Sequence, residues 1–426
     1  MGVRIAPERR TRVDLIVTTL IVVAIVAAGA LVWATSSARQ SALTTADAPL
    51  QVPRAAEHTP RELREAWSHA SSVTRTPQLA GTTVVTADGG TVSARNPANG
   101  EQVWRYHRDV PLCDALAAWP GGDDLVLAAY RNSRGCSAVT ALNGADGSRV
   151  NSRSSDADEQ VKLSYDGDYV LSAGPTRLET WGTNLVRGIE YGRVSAPVNP
   201  ETTPGRSNCR LYSALPGENR VAVVERCDGD YGYRLTILGS ALDSDEKIIQ
   251  WGTTMITTTS HGPAPELIAG SGQSFTVYDG GLDETGEVGP PPGPRVRTFS
   301  TQAEVTSQRP VRGLPEAPES SVPVIGSGVV SFWTGTGTVV LDAMTGAPLY
   351  QAQGAIGPGA VMAGELLLPI PGGISVRRLS DGREIRSIPV DRRDYDADGG
   401  HAVSLRVFGE YVIEQRGDRI VALESP

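Results

Sequence analysis

Lysine is almost missing from this sequence. Lys162 and Lys247 are the two present, and every other basic side chain that is not histidine is arginine. The arginines form no basic stripe. The net charge is −9, and Arg4, Arg9, Arg10 and Arg12 stand ahead of residue 13, so the remainder is more acidic than the total. That excludes the electrostatic footprint of a nucleic-acid partner, and no nucleic acid is expected. Helix signals are scarce after the first forty or so residues, which excludes an α-rich fold. No HExxH, GxSxG or GxxxxGKS/T run occurs, so the familiar metal, serine and phosphate chemistries have no support. His58, His69, His107, His261 and His401 are scattered, and no catalytic residue is assigned. No two cysteines are adjacent, and none lies near the end of the N-terminal apolar run, which excludes a lipid-modified cysteine there.

What is present is a repeat. Residues 76–106 read TPQLAGTTVVTADGGTVSARNPANGEQVWRY. Thr83, Val84, Val85 and Thr86 are a β-branched run and predict a strand. Asp88-Gly89-Gly90 predicts a tight hairpin turn, because glycine accepts positive φ without cost. Thr91 to Ala94 alternates as the next strand. A second turn at 96–100 leads to a further strand carrying Trp104. The phrase of strand, Asx-x-x-x-Gly or a shorter variant, and strand returns at VTALNGADGSRV, VVLDAMTGAPLY, SVRRLSDGREI and RIVALES. Strand-only repeats at about forty-residue spacing mean a propeller, since one blade cannot bury both faces. The 47 glycines and 29 prolines supply the turns.

The fold class expected is all-β: an eight-bladed propeller of four-stranded antiparallel blades, preceded by one transmembrane helix. The blades are read at 76–107, 112–152, 160–194, 208–252, 256–300, 321–352, 356–390 and 401–425. The fifth is the weakest, so seven blades is the alternative. The last repeat has three strands, and an open edge invites aggregation. The segment 61–72, with Trp67, is therefore expected to supply the missing outer strand. Residues 289–320 carry PPPGP and a polar stretch without period. They are expected as a long loop, either a plain insertion or a rim segment that docks a partner.

Residues 15–33 are uncharged and apolar, and are long enough to span a bilayer. The arginines ahead of the run predict a cytoplasmic tail at 1–12, a span at 13–34 and an extracytoplasmic remainder. A cleaved signal peptide is the alternative; its apolar core is usually shorter than this run. Residues 35–60 are polar, rich in Ala, Thr and Pro, and are expected as a flexible stalk.

Cys113, Cys136, Cys209 and Cys227 make an even count outside the membrane, which favours disulfides. Pairing Cys113 with Cys136 and Cys209 with Cys227 keeps each bridge within one blade and on one face of the ring. Each closes a loop of roughly twenty residues, worth about 3 kcal/mol. Zinc is the alternative, but the spacings are not those of a zinc finger. Asp394, Asp396 and Asp398 form a D-x-D-x-D-G run, the opening of a calcium loop. The twelfth position is Leu405, where a bidentate Glu is expected. The reading without metal is a solvated acidic turn between the seventh and eighth blades.

The phrases Asn96-Pro97-Ala98-Asn99-Gly100-Glu101-Gln102-Val103-Trp104 and Asp342-Ala343-Met344-Thr345-Gly346 resemble the pyrroloquinoline-quinone-like (PQQ-like) repeat family. Quinoprotein dehydrogenases of that family carry an adjacent-cysteine disulfide against the cofactor. This chain has no such pair, so no organic cofactor is expected. The layout of Arg-rich tail, span, stalk and ring resembles actinobacterial envelope proteins of the polar-growth-factor type. That resemblance implies a non-catalytic factor at the plasma membrane, an envelope glycolipid of the trehalose monomycolate type as ligand, and a membrane transporter of the RND class as partner. Two other functions stand beside it. One is an extracytoplasmic enzyme with its site in the propeller channel, and the other is a protein scaffold without lipid.

Overall fold

The computed structural model of the protein describes residues 11–36, 39–194, 205–257, 262–281, 293–392 and 402–426. It begins with one helix, Arg12–Thr35. Thr11 caps it: the Thr11 hydroxyl accepts from the Asp14 amide at 3.2 Å, and the Asp14 carboxylate accepts from the Thr11 amide at 2.7 Å. Residues 12–34 have a window of mean hydropathy 2.8 with none of it buried, so the helix is long and apolar enough to cross a membrane.

Eight antiparallel sheets follow. Each holds four blade strands in the order a to d, counted here from the axis outward, and one sheet carries a fifth strand outside these. The a strands are Gln78–Ala80, Leu112–Ala118, Lys162–Tyr165, Arg210–Pro216, Glu266–Gly270, Val324–Gly326, Ala360–Met362 and Val403–Phe408. Neighbouring a strands touch from blade one to blade five and from blade six to blade eight. The cores lie between blades, as in the cluster of Val92, Trp104, Val126 and Leu142 that joins blades one and two.

The repeated turn explains how blades register. Asn96 accepts from the Gly100 amide through its backbone carbonyl at 2.9 Å and from the Ala98 amide through its side chain at 3.0 Å. Asn143 does the same for Gly147 at 2.8 Å and Ala145 at 2.9 Å. The fifth residue of each turn must take positive φ, +73° at Gly100 and +77° at Gly147, which glycine alone adopts without strain. The missing Cβ has a second use. Added at Gly100 it would meet Trp67 at 2.7 Å, and added at Gly147 it would meet Trp104 at 2.6 Å. Each indole lies flat on the turn of the next blade and donates into it: Trp67 to the Pro97 carbonyl and Trp104 to the Gly144 carbonyl, both at 2.9 Å. Tyr350 packs on Gly382 in the same way between blades six and seven.

Blade eight takes its d strand from the start of the domain. Arg64–Ala70 pairs antiparallel with Arg419–Glu424, with Trp67 opposite Ala422. Trp67, 7% exposed, thereby repeats at the seam the contact that Trp104 makes within the ring.

Two expectations need correction. Blade five is complete, with strands Glu266–Gly270, Ser274–Asp279, Arg295–Ser300 and Val305–Pro310. The count is therefore eight, and the stretch 289–320 is not one long loop, because it holds strands c and d of this blade. Arg295 and Arg297 sit within strand c because Asp279, 4% exposed, pairs with both, at 3.0 and 2.7 Å.

Residues 39–60 are likewise not a free stalk. Ser41–Thr44 adds a fifth strand to blade one, with Ser41 opposite Arg108 and Thr44 opposite Arg105. The Ala46 amide then donates to the Asp146 carbonyl at 2.9 Å. Pro53 packs against Gly409 in the a–b turn of blade eight. The Thr59 and Pro60 carbonyls accept from Arg386 of blade seven, at 2.9 and 3.0 Å. The segment runs down the rim of blade one and across the face that carries the a–b and c–d turns.

Trp67→Ala should cost about 3–5 kcal/mol and lower the melting temperature of the whole ring. Val150→Ala, at a 54% exposed position, should do little. Equal melting temperatures for the two variants would contradict closure through Trp67.

Candidate functional site

Strand direction gives the ring two faces. The d strand of blade one ends at Arg108, where Ser41 enters, so the helix joins the face that carries the d–a connections and b–c turns. Both disulfides lie there. Cys113, near the start of strand a, is bonded to Cys136, near the start of strand c. Cys209 precedes strand a of blade four and is bonded to Cys227, which follows strand b. The cysteines are thus occupied by each other, and no free cysteine is present.

The mouth of the axial channel on this anchor face is charged. Asp114 stands on strand a of blade two, 6% exposed. Its carboxylate accepts from the Leu163 amide of blade three at 2.7 Å and lies 3.5 Å from the Arg75 guanidinium, just ahead of blade one. Burial pushes the Asp114 carboxyl up, against the pull of Arg75 and of the Leu163 and Ala115 amides. Glu266 opens strand a of blade five. Burial pushes it up too, against Lys162, a hydrogen bond from Ser213, and Arg75. Lys162 opens strand a of blade three. Blade four separates it from blade five, so its field reaches Glu266 across the channel. Charged residues of blades two, three and five thus stand on inner strands, with Arg75 just ahead of blade one. Further along the inner wall, burial pushes the Arg406 guanidinium of blade eight down, and its Nε has no hydrogen-bond partner among the described residues.

Among the described residues no histidine lies on an inner strand. His69 sits on the closing strand, hydrogen-bonded to the Gly100 carbonyl at 3.0 Å. His107, at the rim of blade one, lies 3.1 Å from Asp109. His58 is exposed in the segment 39–60. Asp394, Asp396 and Asp398 lie outside the described residues, as do His261 and His401; Leu405 is fully buried on strand a of blade eight. The channel charges are not legible as a motif. The one signal is a carboxylate, Asp114, inside the otherwise apolar run LCDALAA.

No family model matches the chain, and no curated protein matches it in sequence. Its fold is similar to solved propellers. BamB from Moraxella catarrhalis, a PQQ-like propeller, superposes with a TM-score of 0.50 at 12% identity, over 85% of this chain and 97% of that one. The computationally designed Ika8 protein gives 0.52 at 12%, over 86% and 99%. Saccharomyces cerevisiae Sqt1 gives 0.53 at 8%, over 87% and 100%. At these identities the likeness is one of fold.

The raised carboxyls set a sign for pH. Between the ordinary Asp value of 3.8 and the higher folded value, the folded state holds a proton that the unfolded state has lost. Stability therefore falls as pH rises through that window. Asp114→Asn stays neutral and should flatten the decline, as read from melting temperatures between about pH 4 and 7. An unchanged slope would contradict the placement of Asp114.

Proposed function

We propose that this chain is a membrane-tethered, non-catalytic scaffold whose ring binds its ligand and its partner at the bilayer surface. The observation that carries this is the connection between helix and ring. Ser36 caps the helix and Ser41 is already paired to blade one. An extended chain over that separation reaches at most about 18 Å. The link is tied at both ends. The Ser36 carbonyl accepts from the Arg39 amide at 3.1 Å, the Arg39 guanidinium lies 4.4 Å from the Trp33 ring, and the Gln40 carbonyl accepts from the Asp109 amide at 3.0 Å.

A catalyst of diffusible substrates gains little from such a tether. A scaffold gains a high effective concentration toward anything in the same membrane. The two disulfides suit an oxidising, extracytoplasmic compartment, and the arginines ahead of the span suit a cytoplasmic N-terminus. In the finer reading, the ligand is an acyl glycolipid of the trehalose monomycolate type and the partner an RND-class transporter. That reading rests on the layout of tail, span and ring; mass spectrometry of co-purified lipids and cross-linking in the membrane test it.

Inserting a flexible Gly/Ser segment of about thirty residues between Ser36 and Ser41 should leave the ring folded and exported, yet impair growth as deletion does. Full function with the long linker, or from a ring released by proteolysis, would overturn the tethered reading.

A further inference from the structure

Between blades three and four, on the anchor face, the surface opens into a cavity of about 740 Å³. That is the size of a small-molecule site. Its wall combines the end of blade three, Tyr191 and Arg193, with the entry to blade four, Arg206, Ser207, Asn208 and Arg210. In a chain of net charge −9, the described wall carries three arginines and no carboxylate.

The carboxylates stand behind the wall and hold the guanidiniums in place. Arg193 is gripped by Asp156 at 2.6 Å and Asp158 at 3.2 Å. Arg206 lies 3.4 Å from Glu225, which is fully buried and accepts from Tyr191 at 2.8 Å and Thr236 at 2.6 Å. The Arg206 Nε is buried without a hydrogen-bond partner among the described residues. Arg210 is less satisfied. It rests over the Tyr212 ring at 5.2 Å and stands directly opposite Arg226 across the a–b ladder. Like charges in that position repel, and neither forms an ion pair among the described residues.

We propose that this cavity is an anion site for a phosphate-bearing ligand. Three guanidiniums from two blades line one cavity, and that of Arg210 forms no ion pair among the described residues. They suit the several oxygens of a phosphate or diphosphate, which arginine forks bind in pairs. The room beyond the arginines takes the remainder of the molecule. The phosphate has two possible sources, a soluble phosphorylated compound and the headgroup of an anionic phospholipid. The site stands independently of docking on a membrane partner.

The test uses the full chain in a neutral detergent. Sodium pyrophosphate and dihexanoyl phosphatidylglycerol are each titrated calorimetrically at constant ionic strength. Arg210→Ala leaves the Glu225 cluster intact, and Arg206→Lys keeps the charge but loses the fork; melting curves check that both remain folded. Saturable binding of pyrophosphate, weakened at least tenfold by Arg210→Ala, is expected and assigns a soluble source. Saturation by the lipid alone, with the same loss, supports the site and assigns the headgroup. Absence of saturable binding for both probes, or equal affinity in wild type and both variants, overturns the proposal.

Discussion

One contact recurs at three of the eight blade junctions among the described residues: an aromatic ring on the outer strand of a blade packs on the turn glycine of the next. Trp67 on Gly100, Trp104 on Gly147 and Tyr350 on Gly382 are its three instances. It combines a backbone requirement, positive φ, with a packing requirement, a face without Cβ. The two indoles add a hydrogen bond to a turn carbonyl, so the polar edge of each ring is satisfied while its faces are buried. At these three junctions the blades are thus locked at their rims. The seam of the ring is closed by this same contact, supplied by a residue more than 350 positions distant in sequence from the strand it pairs with.

Closure from the chain start fixes what lies before it. Because 64–70 forms the outer strand of blade eight, the preceding residues start from the rim, and they are used rather than left free. They widen blade one, cross the face opposite the anchor and hydrogen-bond to blade seven. Few residues therefore separate the helix end at Ser36 from the first paired residue, Ser41. The face with both disulfides, the charged channel mouth and the arginine cavity is the one that the helix enters.

The parts of the fold carried by local chemistry were legible in sequence. The Asx-x-x-x-Gly phrase encodes the turn and the aromatic that follows encodes the contact, so blade architecture and the need for a closing strand could be read directly. Cysteine pairing followed from the meander. The segment 39–60 was not legible, because its pairing is made by backbone groups at a free sheet edge. Ser41–Thr44 shows no alternation that differs from a linker. Strand c of blade five was obscured by Arg295 and Arg297, whose burial depends on Asp279 from the strand before. The candidate sites were hidden for a related reason. Asp114, Lys162 and Glu266 come together only because the ring brings distant blades to one axis, and Arg193, Arg206 and Arg210 because two blades meet. A ring converts sequence distance into proximity, which no short motif records.

On the proposed function, the ring is held close to the membrane by a short connection. Electron cryomicroscopy of the full chain in a lipid nanodisc tests it most directly, through the height and orientation of the ring above the bilayer. The account predicts one dominant pose, with the Ser41 edge of blade one within about 18 Å of the end of the span and the same face presented in every class. Rings spread over several tens of ångströms in height, without preferred orientation, would contradict it.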